Sequence, residues 1–272
     1  MRAPKLAGMT KQPSFFLSHG GGPWPYMDGD YRQAHALLEA SLRALPASLP
    51  EPPRAVLIVS AHWEEPAFTV MTSPAPGMRY DYSGFPAHTY ELSYPARGAP
   101  ALAERVVTLI EAAGLPAARH AQRGFDHGAF CTLAPMFPAA EVPVLQLSLQ
   151  RGLDPTRHLA LGRALAPLRQ EGVLMLGSGF SFHNLQLLGP AGREASAAFD
   201  AWLQQSLPDP AGRAERLIDW AHAPSARLAH PREEHLLPLM VAAGAAEGEP
   251  GHCIYREERF MGGVTSSSFR FG

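Results

Sequence analysis

The sequence contains few cysteines, few lysines and no long apolar run. Cys131 and Cys253 are the only cysteines in 272 residues, too few for a disulfide framework or a Cys-rich zinc site. The formal net charge is −2 and no basic run occurs, which disfavours a nucleic-acid or anionic-membrane surface; Lys5 and Lys11 are the only lysines, and the other cations are arginines. No stretch could cross a bilayer, and Met1–Ser14 lacks the apolar segment of a signal peptide. We therefore expect a soluble, cytoplasmic protein.

Three apolar, strand-like segments each run into a histidine. The segments and their histidines are Phe15–Leu17 with His19, Ala55–Val59 with His62, and Val173–Leu176 with His183. Apolar runs of this kind are typical of strands that are buried on both faces. In open α/β sheets, ligands bind beyond the carboxyl ends of the strands. The pattern therefore predicts that several imidazoles meet on one rim of one sheet.

Helical and strand-like patterns alternate along the chain, which predicts an α/β fold. The expected helices cover Tyr31–Leu45, Ala99–Ala113, Asp154–Gly172, Arg193–Leu207, Ala211–His222 and a segment that begins near Pro231, and further strands are expected at Val142–Leu149 and Met261–Phe271. Gly124–Gly128 indicates a compact turn that leads into the first of these strands. Glu64–Tyr94 indicates a functional loop or a small β excursion. No repeat or linker divides the chain, so we expect one domain over residues 1–272.

Most of the twelve histidines need no special role. A lone histidine is usually a surface residue or a polar group whose hydrogen bonds are satisfied. We assign six residues to that class: His35, His88, His120, His158, His222 and His252. His230 is a candidate cap of the last helix.

Four other histidines have more suggestive surroundings. His19 and His62 end apolar strands beside small residues, and His183 follows glycines that let the backbone approach a bound group. Each of these three histidines either binds a metal or acts in catalysis, or it has a structural role in packing or in a turn. His127 follows Asp126 between two glycines, and is either part of a tight turn or an acid/base poised by its neighbour.

His235 is expected in the first turn of the last helix. It follows His230 by five residues, which separates the two side chains by about 140° around a helix. The HExxH zinc motif needs a spacing of four, on one face. Any residues that share a metal with His235 must therefore come from elsewhere in the chain.

Several other catalytic motifs are excluded. Ser18–Gly22 is rich in glycine, but no Lys-Ser/Thr pair follows it, which excludes a P-loop. Ser178 lies one place out of register for a G-x-S-x-G nucleophile elbow, and neither cysteine has the surroundings of a cysteine protease. The remaining candidates are imidazoles without thiolates, a set that suits a divalent metal such as iron or zinc.

The motifs, taken in order, resemble the class III extradiol ring-cleaving dioxygenases, in the DOPA 4,5-dioxygenase-like branch. The resemblance extends from about Phe15 to the C-terminus. It rests on Phe16-Leu17-Ser18-His19-Gly20, Val59–Trp63, Gly84-Phe85-Pro86, Tyr94-Pro95-Ala96, Gly124–Gly128, Val144–Ser148, His183-Asn184-Leu185 and Glu234-His235. It implies a single three-layer α/β domain in which helices flank a mixed sheet.

The resemblance also implies roles for the site residues. His19, His62 and His235 would hold the metal, and His183 belongs to the metal site and is also the expected acid/base. His127 matches the second histidine of the pocket. Glu234 becomes a candidate ligand if the third ligand is a carboxylate.

The implied reaction opens a catechol ring with O2 and gives a semialdehyde. It needs Fe(II), because zinc has no redox chemistry, although Zn(II) can occupy such a site. Two other functions stay open: a zinc hydrolase on the same histidines, and a non-catalytic binding protein of the same fold. The sequence leaves the identity of the catechol and the oligomeric state open, and we expect Glu64–Tyr94 to shape substrate choice.

Overall fold

The computed structural model describes residues 10–272, in which eight strands form one mixed sheet. The strands are β1 (Ser14–Ser18), β2 (Ala55–Glu65), β3 (Phe68–Met71), β4 (Ala117–His120), β5 (Val144–Gln150), β6 (Val173–Gly179), β7 (Gly251–Phe260) and β8 (Val264–Phe271). Their order across the sheet is β4-β3-β5-β2-β6-β1-β8-β7. The four strands β5, β2, β6 and β1 are parallel, and β8 and β7 extend the sheet in antiparallel fashion. On the other side, β3 is antiparallel to β5, and β4 is parallel to β3.

Ten α-helices connect and cover these strands within the described residues. They are α1 (Gly29–Gln33), α2 (Ala36–Ala44), α3 (Pro100–Ala112), α4 (His127–Met136), α5 (Pro155–Leu165), α6 (Pro167–Gln170), α7 (Arg193–Ser206), α8 (Arg213–Ile218), α9 (Ala226–Ala229) and α10 (Leu237–Ala245). In residues 10–272, no helix has both the length and the apolar character that a membrane span requires.

Two neighbouring residues of β6 show that the helices cover both faces of the sheet. A Cβ on Gly177 would lie 2.2 Å from the carbonyl oxygen of Pro238 in α10. The hydroxyl of Ser178, the next residue, donates to the carbonyl of Gly128 in α4 at 2.5 Å. Because successive residues of a strand point to opposite faces, α10 and α4 lie on opposite sides of the sheet. The prediction of an α/β fold in three layers is confirmed.

Two predicted helices are each divided by a local interruption. The helix expected at Tyr31–Leu45 is divided into α1 and α2 near His35, whose Nδ1 donates to the carbonyl of Tyr31 at 2.8 Å. The helix expected at Asp154–Gly172 is divided into α5 and α6 before Pro167, which has no N–H to continue the hydrogen-bond ladder. The predicted start of this helix at Asp154 is confirmed, because the Asp154 side chain accepts a hydrogen bond from the backbone N–H of Thr156 and caps α5.

The prediction that Gly124–Gly128 leads directly into a strand is wrong. The helix α4 begins within this segment, at His127 with Asp126 as its N-cap, and runs to Met136 before β5 starts. Nearly every residue of α4 is buried, so its sequence lacks the polar face by which a surface helix is recognised.

The placement of His235 in the first turn of the last helix is also wrong. The helix α10 begins at Leu237, and residues 231–236 form turns before it. Pro238 lies in its first turn, where a proline is well tolerated, and this residue rather than Pro231 marks the helix start. His230 follows the short helix α9 and does not cap α10.

Candidate metal site

The candidate site lies at the carboxyl ends of the central parallel strands. His19 directly follows β1, and its backbone N–H donates to the carbonyl of Gly179 at the end of β6, at 3.1 Å. His62 lies within β2, which continues to Glu65, so the expectation that the strand ends at this histidine is wrong. The pairing of β2 with β5 is irregular between Val59 and Glu64. Such irregularities re-aim side chains at the rims of sheets.

His235 reaches the same rim because the chain before α10 is tied to the end of β6. Its carbonyl accepts a hydrogen bond from the backbone N–H of Phe180 at 3.0 Å. A Cβ on Gly179 would lie 2.1 Å from that carbonyl oxygen, so the approach requires a glycine at this position. The Gly-rich end of β6 therefore serves to seat His235.

Three imidazole nitrogens converge at this point. His62 Nε2 lies 3.1 Å from His19 Nε2 and 3.3 Å from His235 Nε2. Metal–nitrogen bonds of about 2.0–2.1 Å, at tetrahedral or octahedral angles, separate neighbouring ligand nitrogens by about 2.8–3.4 Å. Both separations fit neighbouring ligands of one metal ion, and the rings of His19 and His235 lie near each other, with centroids 5.2 Å apart.

The other ring nitrogen of each histidine faces an oxygen. His19 Nδ1 lies 3.1 Å from the hydroxyl of Ser178. His235 Nδ1 lies 2.9 Å from Glu234 Oε1, and His62 Nδ1 lies 3.3 Å from Asp81 Oδ2. Nδ1–H therefore donates outward on His19 and His235, and Nδ1 of His62 faces Asp81 Oδ2 without a hydrogen bond. With Nδ1 protonated, the Nε2 lone pairs face one another and are free to bind a metal.

The site keeps these imidazoles neutral. Burial, reinforced by the neighbouring histidines, holds the pKa values of His19 and His235 well below the ordinary value. Burial and the nearby His127 lower the pKa of His62 to about 3, although Asp81 opposes the shift. Neutral Nε2 lone pairs that face each other attract a cation between them. The donor set therefore fits a divalent metal.

The two remaining predicted histidines lie beside this triangle. His127 donates from both Nδ1 and its backbone N–H to Asp81 Oδ1, at 2.9 and 3.0 Å. His183 stacks on His235 with ring centroids 3.3 Å apart, and its Nδ1 lies 3.3 Å from Glu234 Oε1. All five histidines singled out from the sequence are thus brought together. In residues 10–272, two groupings of three side chains have ligand atoms close enough to share a metal: His19, His62 and His127, and His183, Glu234 and His235. Each contains part of the His19, His62 and His235 set, and neither contains all three.

Two residues of the site were not identified from the sequence. Asp81 lies in the long segment between β3 and α3, where no periodic pattern marks it, and Ser178 lies inside an apolar strand. One signal was available, because Asp81 is the only acidic residue between Glu65 and Glu91. Burial alone would raise the pKa of Asp81, but the hydrogen bonds that its carboxylate accepts from His127 help to lower it to about 2. Asp81 is therefore a carboxylate inside the site.

A buried network fixes the end of α4 that carries His127. Asp126 accepts hydrogen bonds from Ser60 at 2.7 Å and from Arg123 at 2.5 Å, and a further one from Gln146. A Cβ on Gly128 would lie 2.5 Å from Ser60 Oγ, so a glycine is needed for α4 to approach β2 this closely. The network connects the histidine of α4 to the strand that carries His62.

A cavity of about 200 Å³ opens in front of the histidines. Its other walls are the glycines after His19 and a group of apolar side chains: Phe180, Phe182, Leu185, Leu188 and Met261. This volume is below the roughly 300–1,000 Å³ of most ligand pockets, and it suits a molecule of about one ring. A hollow of about 350 Å³ lies at the opposite rim, by Arg54 and Glu171, and contains none of the clustered histidines.

An α/β sheet with imidazoles at the carboxyl ends of its strands and a small apolar cavity beside them defines a metal-dependent enzyme for a small molecule. Comparison with known proteins identifies which one. Residues 9–272 match the family described as the catalytic LigB subunit of aromatic ring-opening dioxygenase. The chain belongs to this family, in the DOPA dioxygenase-like branch of the class III extradiol dioxygenases.

The relatives cover nearly the whole chain. The chain is 41% identical over 252 residues to "4,5-DOPA dioxygenase extradiol" of Portulaca grandiflora, covering 89% of this chain and 90% of that protein. It is 39% identical over 264 residues to the protein of the same description in Beta vulgaris, covering 95% and 96%. The fold is similar to the crystal structure of an uncharacterized protein of Escherichia coli K12. That match has a TM-score of 0.77 and 29% identity, and covers 96% of this chain and 100% of the other. The protein is thus a metal-dependent, ring-opening extradiol dioxygenase.

Proposed function

We propose that this protein opens the ring of a catechol at iron(II) bound by Nε2 of His19, His62 and His235. The observation that carries the proposal is the convergence of these three nitrogens, at 3.1 and 3.3 Å, beside a cavity of one-ring size. The description of the relatives from Portulaca grandiflora and Beta vulgaris supports DOPA as the first substrate to test. The expected product is a ring-opened semialdehyde.

The choice of iron rests on the reaction. When bound, iron(II) supplies the redox chemistry that joins dioxygen to a coordinated diol, which zinc does not have. The same three imidazoles would also bind Zn(II), which we propose as an inactive occupant of the site. Glu234 holds His235 through Nδ1, and this contact supports an orienting role for the carboxylate rather than a place among the ligands.

His127 is proposed as the base that takes a proton from the substrate hydroxyl. Its Nδ1–H is bonded to Asp81, so Nε2 carries the lone pair. Its side chain lines the cavity beside His62, with ring centroids 3.9 Å apart. A base within reach of the substrate and held in one tautomer is arranged for proton transfer.

His183 is proposed as the second acid/base group rather than a fourth ligand. It stacks face to face on His235, at 16° between the ring planes, and Glu234 lies between the Nδ1 atoms of the two rings. It makes none of the close Nε2 contacts that join His19, His62 and His235. Its side chain is 24% exposed, which gives it the access to solvent that a proton donor needs.

We further propose that residues 1–272 act as one catalytic domain in the cytoplasm. β1 and β8 are neighbours in the sheet, so both ends of the described chain contribute to one core. Both cysteines are free, which suits a reducing compartment.

The test is anaerobic reconstitution with Fe(II), followed by O2 uptake and visible absorbance with DOPA and other catechols. We expect one O2 consumed per ring opened. His19→Ala should abolish the reaction, and His127→Gln and His183→Gln should each lower kcat by about 10²–10⁴-fold. His252→Ala, on the exposed side of β7, is the matched control. Absence of O2 uptake, together with ester or amide hydrolysis by the Zn(II) form, would instead identify a zinc hydrolase.

A further inference from the structure

Four of the five histidines of the site form two pairs, and each pair shares one carboxylate. Glu234 Oε1 contacts His235 at 2.9 Å and His183 at 3.3 Å. Asp81 serves His127 and His62, but through separate oxygens. Its Oδ1 accepts two hydrogen bonds from His127, whereas Oδ2 is buried, makes no hydrogen bond, and lies 3.3 Å from His62 Nδ1.

We propose that Asp81 is a positioning residue that selects the metal-binding tautomer of His62. An oxygen at Oδ2 favours Nδ1–H on His62, and the lone pair is then on Nε2, where it faces His19 and His235. The role rests on the proposed function, because it assumes that His62 is a ligand.

The two oxygens predict an unusual response to an isosteric amide. In Asp81→Asn the amide oxygen should remain at the Oδ1 position, because His127 donates two hydrogen bonds there. The amide NH2 then takes the place of Oδ2 and faces His62 Nδ1. A donor at this place makes Nδ1 the acceptor and moves the ring proton to Nε2, which blocks the metal. Asp81→Ala leaves His62 free to take either tautomer.

Which of the two variants loses more Zn(II) affinity distinguishes a positioning role of Asp81 from a packing role. If Asp81 only fills space and holds the loop, asparagine should be mild and alanine should be severe. If Asp81 selects the tautomer, asparagine should be the more severe. Partners that orient metal-binding histidines typically change metal affinity by 10–100-fold when mutated. We expect a loss of about 10-fold in Asp81→Ala and about 100-fold in Asp81→Asn.

The experiment is a Zn(II) titration of the metal-free proteins against a chromophoric chelator, with thermal melting in EDTA to verify folding. Asp219→Asn is the matched control, since Asp219 accepts a bond from His222 Nδ1 at 2.5 Å in an exposed pair. It should bind Zn(II) within twofold of the wild type. Imidazole ¹⁵N NMR of the metal-free proteins gives a second readout, with Nδ1–H on His62 in the wild type and Nε2–H in Asp81→Asn.

His62→Ala separates the inference from the function on which it rests. If His62→Ala binds Zn(II) like the wild type, His62 is not a ligand and the proposed site is wrong. If His62→Ala loses Zn(II) while Asp81→Asn binds as well as or better than Asp81→Ala, only the tautomer role is overturned. Asp81→Asn binding more weakly than Asp81→Ala supports it.

Discussion

Two groups of buried histidines in this protein have similar surroundings at Nδ1 and different surroundings at Nε2. His35 and His158 each bond through Nδ1 to the carbonyl four residues earlier, at 2.8 and 2.7 Å. Each accepts a backbone N–H at Nε2, both at 3.2 Å. His19 and His235 also bond outward through Nδ1, to a hydroxyl and a carboxylate, but their Nε2 atoms face His62.

The difference shows that burial alone does not identify a functional histidine. A neutral imidazole that donates at one nitrogen and accepts at the other has satisfied both, and it then stabilises the fold by itself. Where the second nitrogen faces another lone pair, a cation between the two nitrogens would satisfy both of them. The first arrangement predicts stability without metal, and the second predicts stability that depends on it.

Metal removal is the sharpest way to test this difference, and it should produce the largest change. With free Zn(II) at 1,000 times its Kd, the wild type should gain about 4 kcal/mol in free energy of unfolding over the chelated protein. The gain arises because only the folded chain brings the three nitrogens together. Urea unfolding with Zn(II) and with EDTA measures it.

His235→Ala gives the comparison for the same experiment. It should lose the difference between the Zn(II) and EDTA curves, because one of the three nitrogens is gone. In EDTA it should be less stable than the wild type, since the change also removes the stacking on His183 and the bond to Glu234, so the readout is the difference between the two curves of each protein. Wild-type curves that coincide with and without metal would contradict the assignment of these histidines as ligands.

Local patterns in the sequence predicted the central strands and made His19, His62 and His183 candidates, because the apolar runs before these histidines are local. His127 was a candidate from its Gly-rich turn, and His235 joined the predicted ligands only through the family resemblance. The triangle itself could not be predicted in this way. It depends on the close approach of the chain at His235 to Gly179, and that is a tertiary contact. Asp81 was missed for the same reason, since it acts from a loop whose place over the sheet no periodicity records.

His158 should show the opposite dependence, on pH rather than on metal. Burial lowers its pKa to about 4, and protonation would break the bond that Nε2 accepts from the backbone N–H of Gln150. The unfolded chain binds this proton below about pH 6.5, and the folded chain does so only near pH 4. Stability from the neutral ring is therefore complete above pH 6.5 and is lost as the pH falls toward 4, by about 2 kcal/mol at pH 4.5.

Urea midpoints of wild type and His158→Gln between pH 7 and 4.5, both in EDTA, isolate this contribution. In EDTA the site histidines are free of metal in both proteins, so the difference between the two pH curves reports the protonation of His158. The wild type should be more stable than His158→Gln at pH 7, and this difference in free energy of unfolding should decrease as the pH falls to 4.5. A constant difference over this range would show that the folded protein tolerates a protonated His158.

The smallest effect is expected at His222, where the Nδ1 contact occurs without burial. His222 Nδ1 lies 2.5 Å from Asp219 Oδ1, closer than His127 Nδ1 lies to Asp81, but the two side chains are 82% and 68% exposed. Water competes for both partners of such a pair, so His222→Ala should change the free energy of unfolding by less than about 0.5 kcal/mol. Zn(II) affinity should stay within twofold of the wild type. Urea midpoints measure the free energy of unfolding, and the chelator titration measures the Zn(II) affinity. If His222→Ala lost more than about 1 kcal/mol in free energy of unfolding, a histidine–carboxylate contact would stabilise this protein even when it is exposed. The expected small effect would show that the histidine–carboxylate pairs of the site matter because they are buried and because their Nε2 atoms face the metal site.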